Sequence, residues 1–197
     1  MRKFLQFKTT ALLLAFVAFF ATSCSNDVPD PEAAALTKLK LTAYNLYRTA
    51  DKPALAESLN VLTEMMETLL ATPPEDIVGL QATKKTFPPY ALATGVSRDA
   101  DSDAVDFYAQ LLQDTKTLIY FKGFIDIVKD EETGDLSYGT THYEARLQDK
   151  VSIVGKTDDP IRLLQLGSKI FEAYENGEDT DAILEEIKSL TEFSLFV

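Results

Sequence analysis

Cysteine use restricts the fold of this chain more than any other feature: there is one, Cys24, in 197 residues. No internal disulfide can form, so buried apolar surface has to hold the fold. A domain of about 150 residues buries roughly 70% of its unfolded surface, which is enough without staples. The 46% of hydrophobic residues supplies that core and excludes a disordered chain. Cys24 also ends the stretch "ALLLAFVAFFATSC". Its apolar part, Ala11 to Ala21, spans eleven residues and follows Arg2, Lys3 and Lys8 with no acid between them. A spanning helix needs about 20 apolar residues, whereas an export signal needs about 7–15. Residues 1–23 therefore read as a signal peptide outside the fold.

The stretch Ala21-Thr22-Ser23-Cys24 resembles the lipobox of bacterial lipoproteins, with alanine where leucine is commonest. The resemblance implies a diacylglyceryl group on the Cys24 sulfur, cleavage just before it, and residues 24–30 as a lipidated tether. Two or three acyl chains anchor a soluble domain durably, at about 0.8 kcal/mol per buried methylene. The tail "CSNDVPDPE" is similar to those of outer-membrane lipoproteins of Bacteroides and its relatives. That likeness implies the outer membrane as location, with the cell surface favoured over the periplasmic face. A lipidated Cys24 leaves the mature chain without a thiol, hence without a cysteine nucleophile or thiolate metal site.

Charge narrows the partners. The chain holds 19 Lys+Arg against 31 Asp+Glu, and the net charge moves from −12 to −15 once Arg2, Lys3 and Lys8 leave with the signal. Such a surface repels nucleic acid. The partners expected are the lipid bilayer, through acylated Cys24, and another envelope protein or a glycan.

Periodicity and punctuation predict a mainly α fold of the α+β type in a single domain, 31–197. Two antiparallel helical hairpins should flank a small β-hairpin or three-stranded antiparallel sheet. Asp30-Pro31-Glu32 reads as the start of a helix reaching Arg48. A second helix should run from Pro53 to Ala71 on the stripe Leu55, Leu59, Leu62, Met66 and Leu69. "TPPED" should cap a short helix from Glu75 to Thr86, and "FPPYALATGVSRDADSD" reads as a loop. Val105, Tyr108, Leu111 and Leu112 suggest a helix over 102–115. Between 117 and 154 the aromatic and β-branched content, with strict alternation from Thr141 to Gln148, indicates the β-hairpin. "DPIRLLQLGSKIFEAYENG" and "EDTDAILEEIKSLTEF" should form the last helical pair. No fixed 34-residue period recurs, so tetratricopeptide repeats are not indicated.

Few residues suggest chemistry. Asp99, Asp101 and Asp103 open like a calcium loop, but Ala104 and Gln110 stand where glycine and a bidentate glutamate are required. An irregular metal site from the three aspartates and plain capping of the following helix stay open as readings. Phe87 and Tyr90 flank Pro88-Pro89 and are candidate ligand-binding rings, with packing under the loop as the alternative. His142, the single histidine, falls on the polar face of a strand opposite no identifiable partner. No phosphate loop or serine elbow occurs, and the sequence implies no cofactor. The resulting expectation is a membrane-anchored lipoprotein acting as a non-catalytic binding or assembly module. The alternatives are an accessory glycan-binding protein of an outer-membrane uptake system, or a hydrolase using a carboxylate pair.

Overall fold

A computed structural model describes residues 31–196. The signal peptide, the lipobox, Cys24, the tether and the Asp30 cap lie outside the described residues. Glu32–Val197 is one compact unit containing both core clusters and the whole sheet.

Helices α1 (Pro31–Thr49) and α2 (Lys52–Ala71) come first, then a 3-10 turn at Pro74–Asp76. Six strands follow: β1 (Gly79–Phe87), β2 (Tyr90–Arg98), β3 (Ala104–Gln113), β4 (Lys116–Lys129), β5 (Leu136–Leu147) and β6 (Val151–Thr157). Helices α3 (Pro160–Asn176) and α4 (Asp181–Leu190) then lead to β7 (Thr191–Phe196). The strands form one antiparallel sheet in the order β1 to β7, every neighbour being the next in sequence. Only β6 and β7 are joined through a helical pair.

The mainly helical expectation is therefore wrong: helix and strand each make up 41% of the described residues. The expected helix over 75–86 is the 3-10 turn followed by β1, and the expected loop after Phe87 holds β2. The segment taken for a helix over 102–115 is β3, whose Val105, Phe107, Ala109 and Leu111 point inward on a period of two. The three strands expected between 117 and 154 exist, as the middle of a seven-stranded sheet. The final helix stops at Leu190, and Glu192 to Phe196 belong to β7.

Two helices, α2 and α3, do form with caps at their expected starts. The Asp51 carboxylate accepts from the Ala54 N–H at 2.9 Å, with Pro53 in the first turn of α2. Asp159 does the same for Arg162 N–H at 2.9 Å ahead of Pro160, and Gly177 ends α3 at φ +69°. All helices lie against one sheet face. Met66, Leu62 and Leu69 of α2 meet Val105, Phe107 and Phe121 in one core cluster; Leu46 and Leu55 meet Leu92 and Leu111 in the other. No described element covers the opposite face, where Tyr108, Lys122, Glu144, Val154 and Ser194 stand in register across β3 to β7.

Candidate ligand cavity

Between the helices and β4–β7 the two layers do not close. The gap is a cavity of about 180 Å³. α1 gives it Leu36 and Leu39, α3 gives Leu163 and Ile170, α4 gives Leu184, and the sheet gives Phe121. Several of these walls are only half-buried although they face inward, because no side chain opposes them. On the sheet floor Tyr143 lies across Gly155, where a Cβ would come within 2.8 Å of the phenol oxygen. Its hydroxyl then reaches Thr191 at 2.8 Å, so this floor residue presents carbon to the cavity.

The size of the gap is informative. An engineered apolar cavity of about 150 Å³ stays dry and binds benzene. Unfilled core volume costs about 24 cal/mol per Å³, so a sealed void of this size would forgo about 4 kcal/mol, an upper bound for a gap partly open to solvent. Net domain stability is typically about 5–15 kcal/mol, so that loss is a large fraction of it. The sequence also keeps the space open at Gly167. This glycine sits mid-helix in α3, on the stripe of Leu163, Ile170 and Tyr174 that faces the cavity. A glycine there costs about 0.5–1 kcal/mol against alanine. A Cβ added at Gly167 would meet nothing within 4 Å. Packing therefore does not demand glycine; its lack of a side chain simply leaves this part of the wall open.

One corner of the cavity is polar. Lys40 of α1 is paired with Asp181 of α4, and the Tyr174 hydroxyl donates to the Lys40 carbonyl at 3.3 Å. Buried Thr180, just before α4, lines the same cavity. Burial pushes the Tyr174 phenol above its ordinary range against the opposing effect of Thr180, and burial raises Tyr143 likewise. Both stay protonated, with the Tyr174 proton given to the Lys40 carbonyl and the Tyr143 hydroxyl bonded to Thr191. Among the described residues the charged members of the wall are Lys40 and Lys188, both cations; Lys188 is paired with Glu185. α1 is seated on α3 by rings: Tyr44 meets Tyr174 edge-on at 5.4 Å, and Tyr47 lies 5.8 Å from it.

The residues singled out from sequence lie elsewhere. Phe87 and Tyr90 bracket the cis Pro88-Pro89 turn of β1–β2 with their rings stacked at 6.3 Å. Tyr90 is 6% exposed and its oxygen accepts from the Asp51 N–H at 2.8 Å, which locks it into the core beside the start of α2. Phe87 is half-buried against that cluster. Asp99, Asp101 and Asp103 lie in the β2–β3 connection, so they cap no helix; the Asp103 carbonyl accepts from Ile127 N–H at 2.7 Å. Among the described residues no group of three or more His, Cys, Asp or Glu is arranged to hold a metal.

His142 is on the open face as expected, but it does have partners. It stacks on Phe124 at 4.5 Å between centroids and its Nε2 is 3.0 Å from Asp126. Beside it, burial pushes Glu144 up, but Arg146 and Lys122 outweigh that and hold its carboxyl below the usual range. Among the described residues no helix is long and apolar enough to cross a membrane. No family model matches the chain, and no curated protein or solved structure matches it either.

Sequence reasoning missed the cavity because its walls are ordinary apolar stripes, each of which reads as core. One signal was present: the glycine inside "LLQLGSKIF", interrupting an otherwise strong helical face.

Proposed function

We propose that this chain is a lipid-anchored protein of the bacterial cell envelope whose domain binds an apolar small molecule and catalyses no reaction. The cavity between α1, α3, α4 and the sheet carries this reading. It is large enough for a ring or a short chain, and a mid-helix glycine keeps it open. The anchor rests on the lipobox likeness of Ala21 to Cys24 and on the polar tether after it.

Two experiments test the two halves separately. Thermal unfolding of the chain from Ser25 onward, which contains the whole compact unit, should shift upward with octanol. At a hundredfold excess over Kd the gain is about 2.7 kcal/mol. For a domain of this size that is roughly 5–11 °C. No shift at saturating octanol would remove the binding reading. For the anchor, Cys24→Ala should abolish labelling by a palmitate analogue and release the protein from membranes. Unchanged membrane fractionation of that variant would remove the anchor, and protease shaving of intact cells reads which face carries the domain.

A second reading concerns glycans. The exposed Phe124–His142 stack, with Asp126 at its edge, offers a flat ring and a hydrogen-bonding group together on the uncovered sheet face. A glycan array hit lost in Phe124→Ala would support it.

A further inference from the structure

Accepting the cavity as a binding site, the identity of its ligand follows from charge and from where the polar atoms are. The chain has 12 more acidic than basic groups, yet the described cavity wall includes no carboxylate. Its two charged members are Lys40 and Lys188. Lys40 does not stand alone: Tyr174 and Thr180 also line the cavity, and the Tyr174 hydroxyl donates to the Lys40 carbonyl. An ammonium, a phenol and a hydroxyl thus all stand on the wall of this one cavity, from α1, α3 and the turn before α4. Aliphatic and aromatic carbon lines most of the remainder. A wholly apolar ligand would leave that corner unused. A ligand polar along its length would strand its groups against Leu36, Ile170 and Phe121 at the desolvation cost of unpaired polar atoms.

We propose that the ligand is a single-chain anionic amphiphile, its tail in the cavity and its carboxylate or phosphate head at the corner formed by Lys40, Tyr174 and Thr180. The Asp181 carboxylate occupies the Lys40 ammonium in the ligand-free protein. The head group replaces it, exchanging one ion pair for another while the tail gains the apolar walls. Asp181 is the more exposed of the two, at 62% against 36%, so it returns to water at little cost. Charge-assisted bonds to the Lys40 ammonium set the preference for an anion over a neutral head.

Calorimetric titration of the chain from Ser25 onward with octanoate, octyl phosphate and octanol tests this directly. Both anions should bind about tenfold tighter than the alcohol, and the tighter anion names the head group. Lys40→Gln should weaken both anions about tenfold and leave octanol unchanged. Asp181→Asn should strengthen anion binding, which a merely structural role for the pair would not produce. Octanol binding as tightly as octanoate, or Lys40→Gln weakening acid and alcohol equally, would overturn the anionic head while leaving the cavity as a site. Failure of all three compounds to bind would overturn both the cavity reading and this inference.

Discussion

Gly167→Leu gives the sharpest test of the cavity. The substitution places an isobutyl group on the α3 stripe, where an added Cβ meets no other side chain within 4 Å. Two gains add. Replacing a mid-helix glycine by leucine recovers about 0.5–1 kcal/mol of helix propensity. Burying the side chain among apolar walls contributes a further 1.5–3 kcal/mol or so. The expected increase is about 2–4 kcal/mol, or roughly 4–15 °C in Tm. Gly167→Ala should recover the propensity part with little burial. Chemical denaturation with an unchanged m-value would assign the effect to the folded state. The same Gly167→Leu protein should lose its thermal shift with octanol, since the side chain takes the ligand's place. The reasoning fails if Gly167→Leu destabilises, because overpacking would mean the walls already touch. It fails differently if the variant is stabilised and still binds octanol, which would place the ligand elsewhere.

Other consequences can be measured independently. Tyr138 donates to the Thr72 carbonyl at 2.8 Å, and burial pushes its phenol up to about 12, helped by Glu75 and opposed by Arg98. The unfolded chain loses that proton near pH 10, so this stabilisation is complete below pH 10 and is lost as pH climbs towards 12. Tyr138→Phe should cost about 1 kcal/mol at neutral pH and flatten the alkaline limb of the stability curve. Asp51→Ala should cost about 1 kcal/mol through the lost cap of α2. Met66→Ala, in the filled core, should cost about 2–5 kcal/mol, whereas Ile170→Ala, beside the gap, should fall well below it. Equal losses at the two positions would mean the cavity wall is packed like the core.

What could be read from sequence follows the strength of the local signal. α2 and α3 begin at an aspartate followed by proline and carry regular apolar stripes, so their limits were legible within a residue or two. β5 was legible because Thr141, Tyr143 and Ala145 alternate with His142, Glu144 and Arg146. β3 supports two periods at once. Val105, Tyr108, Leu111 and Leu112 fit a helix, while Val105, Phe107, Ala109 and Leu111 fit a strand, and only neighbouring strands decide between them. β1 carries almost no apolar alternation because it is an exposed edge, and its Lys84 and Lys85 suit an edge that must not pair further.

The cavity was illegible for a deeper reason. Its residues come from all four helices and four strands, and each apolar one satisfies the pattern of a core position. Patterning says which side faces inward; it does not say whether the inward sides touch. That depends on how far α1 stands from the sheet, which the Tyr44, Tyr47 and Tyr174 rings help to set by holding α1 against α3. Bulky rings at that contact and a glycine at Gly167 act in the same direction. The first fixes α1 on α3, and the second leaves the space beneath them unfilled. Trimming one of the rings tests that account: Tyr44→Ala, at a position 46% exposed, should let α1 settle inward, shrink the cavity and weaken octanol binding, although the substituted side chain touches no ligand.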